Sequence, residues 1–242
     1  MKQLKVKGIV ISENNMGDFD KMLTILTPNL GKIGCSARGA RRPKSLLLSG
    51  TQFLCFGDYM LFKGSDTYTI NSCETIELFY NIRTDLDKLM YATYITKIVT
   101  DITTENQNSY NTLKLFLNTL YAISETDKNL DFITSVFKLR ILKILGFTPN
   151  IKECTSCRQK EELRYFSIKD NGFKCINCGK LDTSAIQINE ATENAIKYSI
   201  LADPKKIFSF SISENSLKEL KIIADIYLNE KLEKEYKMEK LF

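Results

Sequence analysis

The chain has 242 residues, 43% hydrophobic and 26% charged, with a formal net charge of +5 and no histidine. That length buries a sizeable core and accommodates two domains, or one domain carrying an inserted module, in the composition of an ordinary soluble protein. The absence of histidine excludes Ser-His-Asp and Cys-His nucleophile systems and the open catalytic zinc sites that depend on imidazole.

Residues 4–80 read as β-rich runs at 6–11, 22–26, 53–62 and 68–76, and the segment from Gly31 to Lys44 reads as a strand leading into a loop. Gly31, Gly34, Gly39, Gly50, Gly57 and a Lys63-Gly-Ser-Asp66 hairpin signal separate them. Roughly five short strands in this span predict a small β-barrel. An OB-fold is the natural candidate, with an SH3-like barrel as the alternative.

Charge is unevenly distributed within this region. No acidic residue lies between Asp20 and Asp58, whereas Lys21, Lys32, Arg38, Arg41, Arg42 and Lys44 supply six positive charges. Glycines in the segment let backbone N–H groups approach a phosphate, and arginine binds phosphate in bidentate fashion. Phe53, Phe56, Tyr59, Phe62 and Tyr68 follow. Cations beside aromatic faces suit sequence-tolerant binding of single strands. The competing reading is a solvated loop, with the aromatics filling the barrel. It is favoured for the individual rings but not for the loop, because unopposed charge repels itself unless a polyanion relieves it.

From residue 84 the apolar period changes from two to 3.6. Leu86, Leu89, Met90, Ile98 and Ile102 mark a first helix with Thr84 or Asp85 as N-cap, and a second covers 110–124. A third covers 130–145, ending at Gly146 with Pro149 beyond. It reads as a core helix. Its Lys138, Arg140 and Lys143 also offer a cap for a groove that takes an acidic, hydrophobic peptide tail.

Cys154-Thr-Ser-Cys157 is followed after seventeen residues by Cys175-Ile-Asn-Cys178. Two C-x2-C pairs at this separation are the spacing of a four-thiolate site, which zinc fills tetrahedrally and leaves closed to substrate. A structural zinc ion is therefore expected. The competing readings are buried or disulfide-linked cysteines and an iron–sulfur cluster, whose usual spacings differ. Cys35, Cys55 and Cys73 read as small buried hydrophobes. Asn189 caps a further helix that stops before Pro204, Ser213 opens a last one, and residues 230–240 read as its solvated end. The expected organisation is α+β: a barrel over 1–80, a helical domain from 81–150 and 184–242, and a metal module inserted at 151–183.

No Walker loop and no dinucleotide glycine fingerprint is present, and Asp18 and Asp20 are the kind of turn carboxylates that cap rather than catalyse. The N-terminal stretch has no apolar region of signal-peptide length and no later run reaches membrane-spanning length, so a cytoplasmic location is expected. The chain reads as a binding protein rather than an enzyme.

The ordered features resemble one family, the bacterial recombination mediator RecO. The resemblance rests on Lys7-Gly-Ile-Val-Ile11, Gly17-Asp-Phe-Asp-Lys21, Gly31-Lys-Ile-Gly34 and Ala37-Arg-Gly-Ala-Arg-Arg-Pro-Lys44, then Phe137-Lys-Leu-Arg140, Leu145-Gly-Phe147 and the cysteine pairs. It covers essentially the whole chain. It implies an N-terminal OB-fold, a helical domain and a zinc module. The implied role is non-enzymatic: binding single- and double-stranded DNA, annealing complementary strands and, with RecR, helping RecA load onto DNA coated by single-strand-binding protein. Recognition of the acidic C-terminal tail of single-strand-binding protein by the helical domain is also implied, as is association with the nucleoid. Carried over by position, Lys32, Arg38, Arg41, Arg42 and Lys44 contact DNA, and Cys154, Cys157, Cys175 and Cys178 hold the metal. Relatives usually have glutamate where Asp18 stands. The alternative is a zinc-ribbon interaction module whose nucleic-acid binding is incidental; a zinc hydrolase or nuclease is disfavoured by the closed ligand set.

Overall fold

The computed structural model describes residues 3–64 and 67–238. The chain forms two compact units, divided between Leu120 and Tyr121.

The first unit opens with β1 (Gln3–Met16), β2 (Asp20–Thr27), β3 (Gly31–Ala37), β4 (Phe56–Lys63) and β5 (Tyr68–Glu77). They form a closed barrel in the order β1-β2-β3-β5-β4, with β4 returning to β1 from Gln3↔Phe62 to Ile9↔Phe56. Only the β3–β5 pairing is parallel, at Cys35↔Tyr68 and Ser36↔Thr69. Alternation drives this arrangement. Along β3, Ile33, Cys35 and Ala37 point inward, and along β4, Tyr59 and Leu61 do so. They meet Val10, Leu23, Ile25 and Ile70 in one apolar interior. Tyr59 is fully buried and its hydroxyl donates to Gly50 O at 2.8 Å.

Cys35 and Cys55 are buried here and Cys73 is half-buried, all three as free thiols. Burial pushes the Cys35 thiol up to about 12.

The strand expected from residue 53 begins at Phe56. Leu54 takes a left-handed φ of 62°, and Leu54 N and Cys55 O both bond to Val10 of β1. The Arg83 guanidinium bonds Phe53 O and the Gln52 side-chain oxygen, fixing the approach as a turn. Residues 38–55 therefore form a turn-rich excursion between β3 and β4. Of the expected hairpin signal, Ser65 and Asp66 lie outside the described residues.

Helices α1 (Tyr80–Arg83) and α2 (Leu86–Ile102) follow, α2 being N-capped by Asp85 through Lys88 N. The segment after α2 is fastened to the start of β3. Lys32 N donates to Thr104 O and Asn106 N to Leu30 O. Gly31 is required there, because its φ is +66° and an added Cβ would lie 1.9 Å from Thr104 O. Helix α3 (Tyr110–Glu125) contains the division between the units.

The second unit is built on α4 (Leu130–Ile144), N-capped by Asn129 and closed by Gly146 at a φ of +91°. Short strands β6 (Tyr165–Ser167) and β7 (Gly172–Lys174), helix α5 (Ile176–Lys180) and β8 (Ile186–Gln187) precede α6 (Glu190–Leu201) and α7 (Glu214–Leu232). Asn189 and Ser213 cap α6 and α7 as their sequence predicts. Helix α4 packs on both α6 and α7.

The basic residues of α4 are bonded to α6 and α7. Arg140 donates to Ser199 O and Ile200 O, Lys143 donates to Ile200 O at 2.8 Å, and Lys138 pairs with Asp225 of α7. The first two bind the negative C-terminal end of α6, where cations are favoured. Helix α7 ends at Leu232 rather than near 240, because Glu233 turns left-handed and bonds back to Asn229 O and Glu230 O. Of the expected solvated end, Glu239 and Lys240 lie outside the described residues. Among the described residues no helix is long and apolar enough to cross a membrane.

Candidate metal centre and nucleic-acid interface

Two backbone turns bring the four cysteines together. In the first, Arg158 N donates to Cys154 O at 3.0 Å, Cys154 N donates to Gln159 O at 2.7 Å, and Arg158 takes a φ of +64°. In the second, Cys175 stands as N-cap of α5 and accepts from Gly179 N at 2.8 Å. Thr155 N donates to Phe173 O at 2.9 Å, which sets the first turn against the strand that delivers Cys175.

The Sγ atoms of Cys154, Cys157, Cys175 and Cys178 all lie within 4.8 Å of one another. The Cys157 and Cys175 sulfurs are 3.7 Å apart. A tetrahedral zinc with bonds of about 2.3 Å requires sulfur–sulfur edges of about 3.8 Å, so this donor set and its spacing fit a metal ion. Without an ion the sulfurs compete for protons. Burial raises the Cys154 thiol but is outweighed by backbone N–H donors of Cys157, Cys175 and Ser156, which bring it to about 6. Hydrogen bonds with Cys157 and Cys175, then burial, push Cys178 up to about 12. A cation that takes the place of those protons relieves the competition.

Around the cluster, Lys174 of β7 pairs with Asp170 and Asp182, each at 2.6 Å. Lys174, followed by Ser184 and Ser167, holds the Asp182 carboxyl well below the usual carboxylate range. The Phe166 ring of β6 meets Phe173 and Tyr227 edge-on at 5.8 and 5.4 Å, and Arg164 pairs with Glu190 and Glu193 of α6. The centre is thereby anchored to α6 and α7.

The expected nucleic-acid residues fall into two groups. Lys21 is engaged: its Nζ pairs with Glu13 at 2.6 Å and reaches Thr51 O at 3.3 Å. Lys32 is also engaged, donating to Thr100 O of α2 at 2.8 Å. By contrast, Arg38, Arg41, Arg42 and Lys44 stand exposed on the turn after β3 and make no ion pair among the described residues. Gly39 begins this turn at a φ of +65°, with its N–H bonded to Asp20 Oδ1 at 2.7 Å. Arg41 N donates to Phe19 O at 2.9 Å, and the Arg41 guanidinium to Gly17 O at 3.2 Å. The basic turn is thus fixed to the β1–β2 turn.

Of the expected aromatics, Tyr59 fills the barrel, while Phe53, Phe56, Phe62 and Tyr68 are half-buried. Sequence reasoning passed over Phe19, whose ring lies 5.4 Å from the Arg42 guanidinium carbon and is 47% exposed. An aromatic set in a Gly-Asp-x-Asp turn was its only signal.

A fold of closed barrel and helical unit, four thiols in one cluster and a basic turn without ion pairs among the described residues define a class. The sequence model described as Recombination protein O N terminal matches residues 1–79, and that described as Recombination protein O C terminal matches residues 83–240. The chain belongs to the RecO family.

Particular relatives agree along nearly the full length. The DNA repair protein RecO of Acetivibrio thermocellus is 44% identical over 237 residues, covering 98% of this chain and 94% of that protein. That of Alkaliphilus metalliredigens is 35% identical over 211 residues, covering 87% and 86%, and that of Bacillus subtilis 32% over 227 residues, covering 93% and 88%.

Proposed function

We propose that the chain is a DNA-binding protein of recombinational repair that acts without catalysing bond cleavage. Its barrel is an OB-fold within an N-terminal domain of residues 1–80, a reading supported by the strand order and the single parallel pairing. Residues 81–150 and 184–242 make a helical domain, and 151–183 an inserted module holding one structural zinc ion through Cys154, Cys157, Cys175 and Cys178. It works in the cytoplasm, on nucleoid DNA.

The observation that carries the DNA reading is the turn bearing Arg38, Arg41, Arg42 and Lys44, exposed and without carboxylate partners among the described residues. Unneutralised cations fixed in one place suit the phosphates of single- and double-stranded DNA, and Lys32 and Lys21 join them only by giving up their bonds to Thr100 O and Glu13. Strand annealing follows from the same charge. Two single strands repel each other, and basic surface presented to both lowers the cost of bringing them together before pairing completes the exchange. Family membership supports the wider role, in which the protein acts with RecR to load RecA onto DNA coated by single-strand-binding protein and recognises that protein's acidic tail through the helical domain.

Fluorescence anisotropy of a labelled single-stranded oligonucleotide at several salt concentrations tests the reading. Binding is expected to be indifferent to sequence, with a salt slope of about 0.7 per phosphate contact. Replacing Arg38, Arg41 and Arg42 together by alanine should lower that slope by about 2 and slow annealing of complementary strands. An unchanged slope would remove the turn from the DNA surface.

A further inference from the structure

We infer that Phe19 is a stacking platform for one unpaired base of single-stranded DNA, held in register with the phosphate-binding arginines. The inference rests on the DNA-binding reading above and adds to it a residue and a preference for unpaired strands.

Isolated apolar side chains on a surface need no explanation. Phe19 differs because its surroundings are built. Its carbonyl accepts from Arg41 N at 2.9 Å, Gly17 O accepts from the Arg41 guanidinium at 3.2 Å, and the following Asp20 accepts from Gly39 N at 2.7 Å. These three bonds tie the β1–β2 turn to the basic turn at both of its ends. The backbone that carries the ring is therefore held against the basic turn. The Arg42 guanidinium lies 5.4 Å from the ring centroid, within the range of a cation–π contact.

With 47% of the residue exposed, the ring retains surface for a second planar group. A nucleobase is the planar group that arrives when phosphates bind beside it. Base, phenyl ring and guanidinium then stack in one column, and stacking tolerates every base because each has a π-face. The aromatics within the barrel are less available, Tyr59 being fully buried. Bases of an intact duplex already stack on each other, so the ring gains a partner only from an unpaired strand. The arginines, which read phosphate alone, favour neither form on this ground.

The test titrates the full chain with a labelled single strand and with its matched duplex, comparing wild type, Phe19→Ala and Phe19→Trp. Phe19→Ala should weaken single-strand binding about 10-fold or more while leaving duplex affinity and both salt slopes unchanged. Phe19→Trp should retain the single-strand affinity. A 2-aminopurine strand should be quenched by wild type and much less by the alanine variant. The unchanged duplex affinity also reports that the variant is folded. Equal loss for both nucleic acids, or loss for neither, would overturn the platform while leaving the basic turn as a DNA surface. Wild-type protein that binds neither form would overturn both readings.

Discussion

The turn after β3 in the first unit and a set of basic residues in the second unit are used in opposite ways. In the second, Lys138 pairs with Asp225, Lys174 with Asp170 and Asp182, Arg164 with Glu190 and Glu193, and Lys221 with Asp131. Arg140 and Lys143 bind the end of α6. In the first unit, the turn after β3 leaves Arg38, Arg41, Arg42 and Lys44 in solvent without such partners among the described residues. Both stretches read as basic in sequence. What separates them is whether the fold answers each charge, and a charge the fold leaves unanswered is available to a ligand.

The units also differ in how they hold themselves together. The barrel closes its own hydrogen-bond ladder around an apolar interior, so each of its five strands has a bonded neighbour on both sides. The strands around the cysteines are three, three and two residues long. Strands that short supply few ladder bonds and bury little, and a metal held by the four cysteines would crosslink the two turns and supply what they lack. Metal removal is therefore expected to act on the second unit and leave the barrel intact.

Cys175→Ser should break this contrast most severely. Structural zinc contributes about 10–16 kcal/mol of apparent binding free energy in small zinc-dependent peptides, so loss of several kcal/mol is expected here. Elemental analysis should show the metal gone, and hydrogen exchange should show lost protection around Cys154–Cys178 but not along β1–β5. Equal loss in both regions would mean that the barrel also depends on the centre.

Asp225→Ala comes next. Lys138 is almost fully buried, whereas the Asp225 side chain is 38% exposed, so the cost should fall below that of a fully buried pair, at about 2 kcal/mol. Burial holds the Lys138 ammonium below its usual value despite Asp225. Between that depressed value and the roughly 10.4 of an unfolded lysine, the unfolded chain binds more protons, so this group's contribution to stability rises with pH. Without Asp225 the window widens downward. Urea unfolding should then show a steeper gain from neutral to alkaline pH in Asp225→Ala, and no such gain from this group in Lys138→Met. Replacing Arg38, Arg41 and Arg42 by alanine should move stability by no more than about 1 kcal/mol, since no ion pair is lost and only the exposed Arg41 bond to Gly17 O and the Arg42 contact with the Phe19 ring go. A large loss of stability would mean that the turn is structural.

Much of this was legible because it is local. The C-x2-C spacing predicted one cluster of thiols, and Asp85, Asn189 and Ser213 announced helix starts through short side chains that bond backbone within three residues. Alternating apolar residues predicted the strands. The fate of individual charges was not legible, since it depends on partners far along the chain. Lys32 is answered by Thr100, 68 residues away, and Arg140 by Ile200, 60 residues away. The β4 start and the α7 end were also missed. Both are set by left-handed residues, Leu54 and Glu233, whose side chains carry no preference for that conformation.

Lys21 offers the finest test of the distinction, because it lies on the basic face by sequence and on the answered side by structure. Its ammonium pairs with Glu13 across the β1–β2 hairpin, with side chains 12% and 34% exposed. Glu13→Gln keeps the shape and a hydrogen-bond acceptor while removing the charge. A pair in this setting contributes about 0–1 kcal/mol, so the melting temperature should hardly move. The DNA salt slope is the sensitive readout. If Glu13 is what withholds Lys21 from phosphate, the variant should gain up to one contact, raising the slope by up to about 0.7 and strengthening binding at low salt. An unchanged slope would assign Lys21 to the hairpin alone and confine the DNA surface to the cations beyond β3.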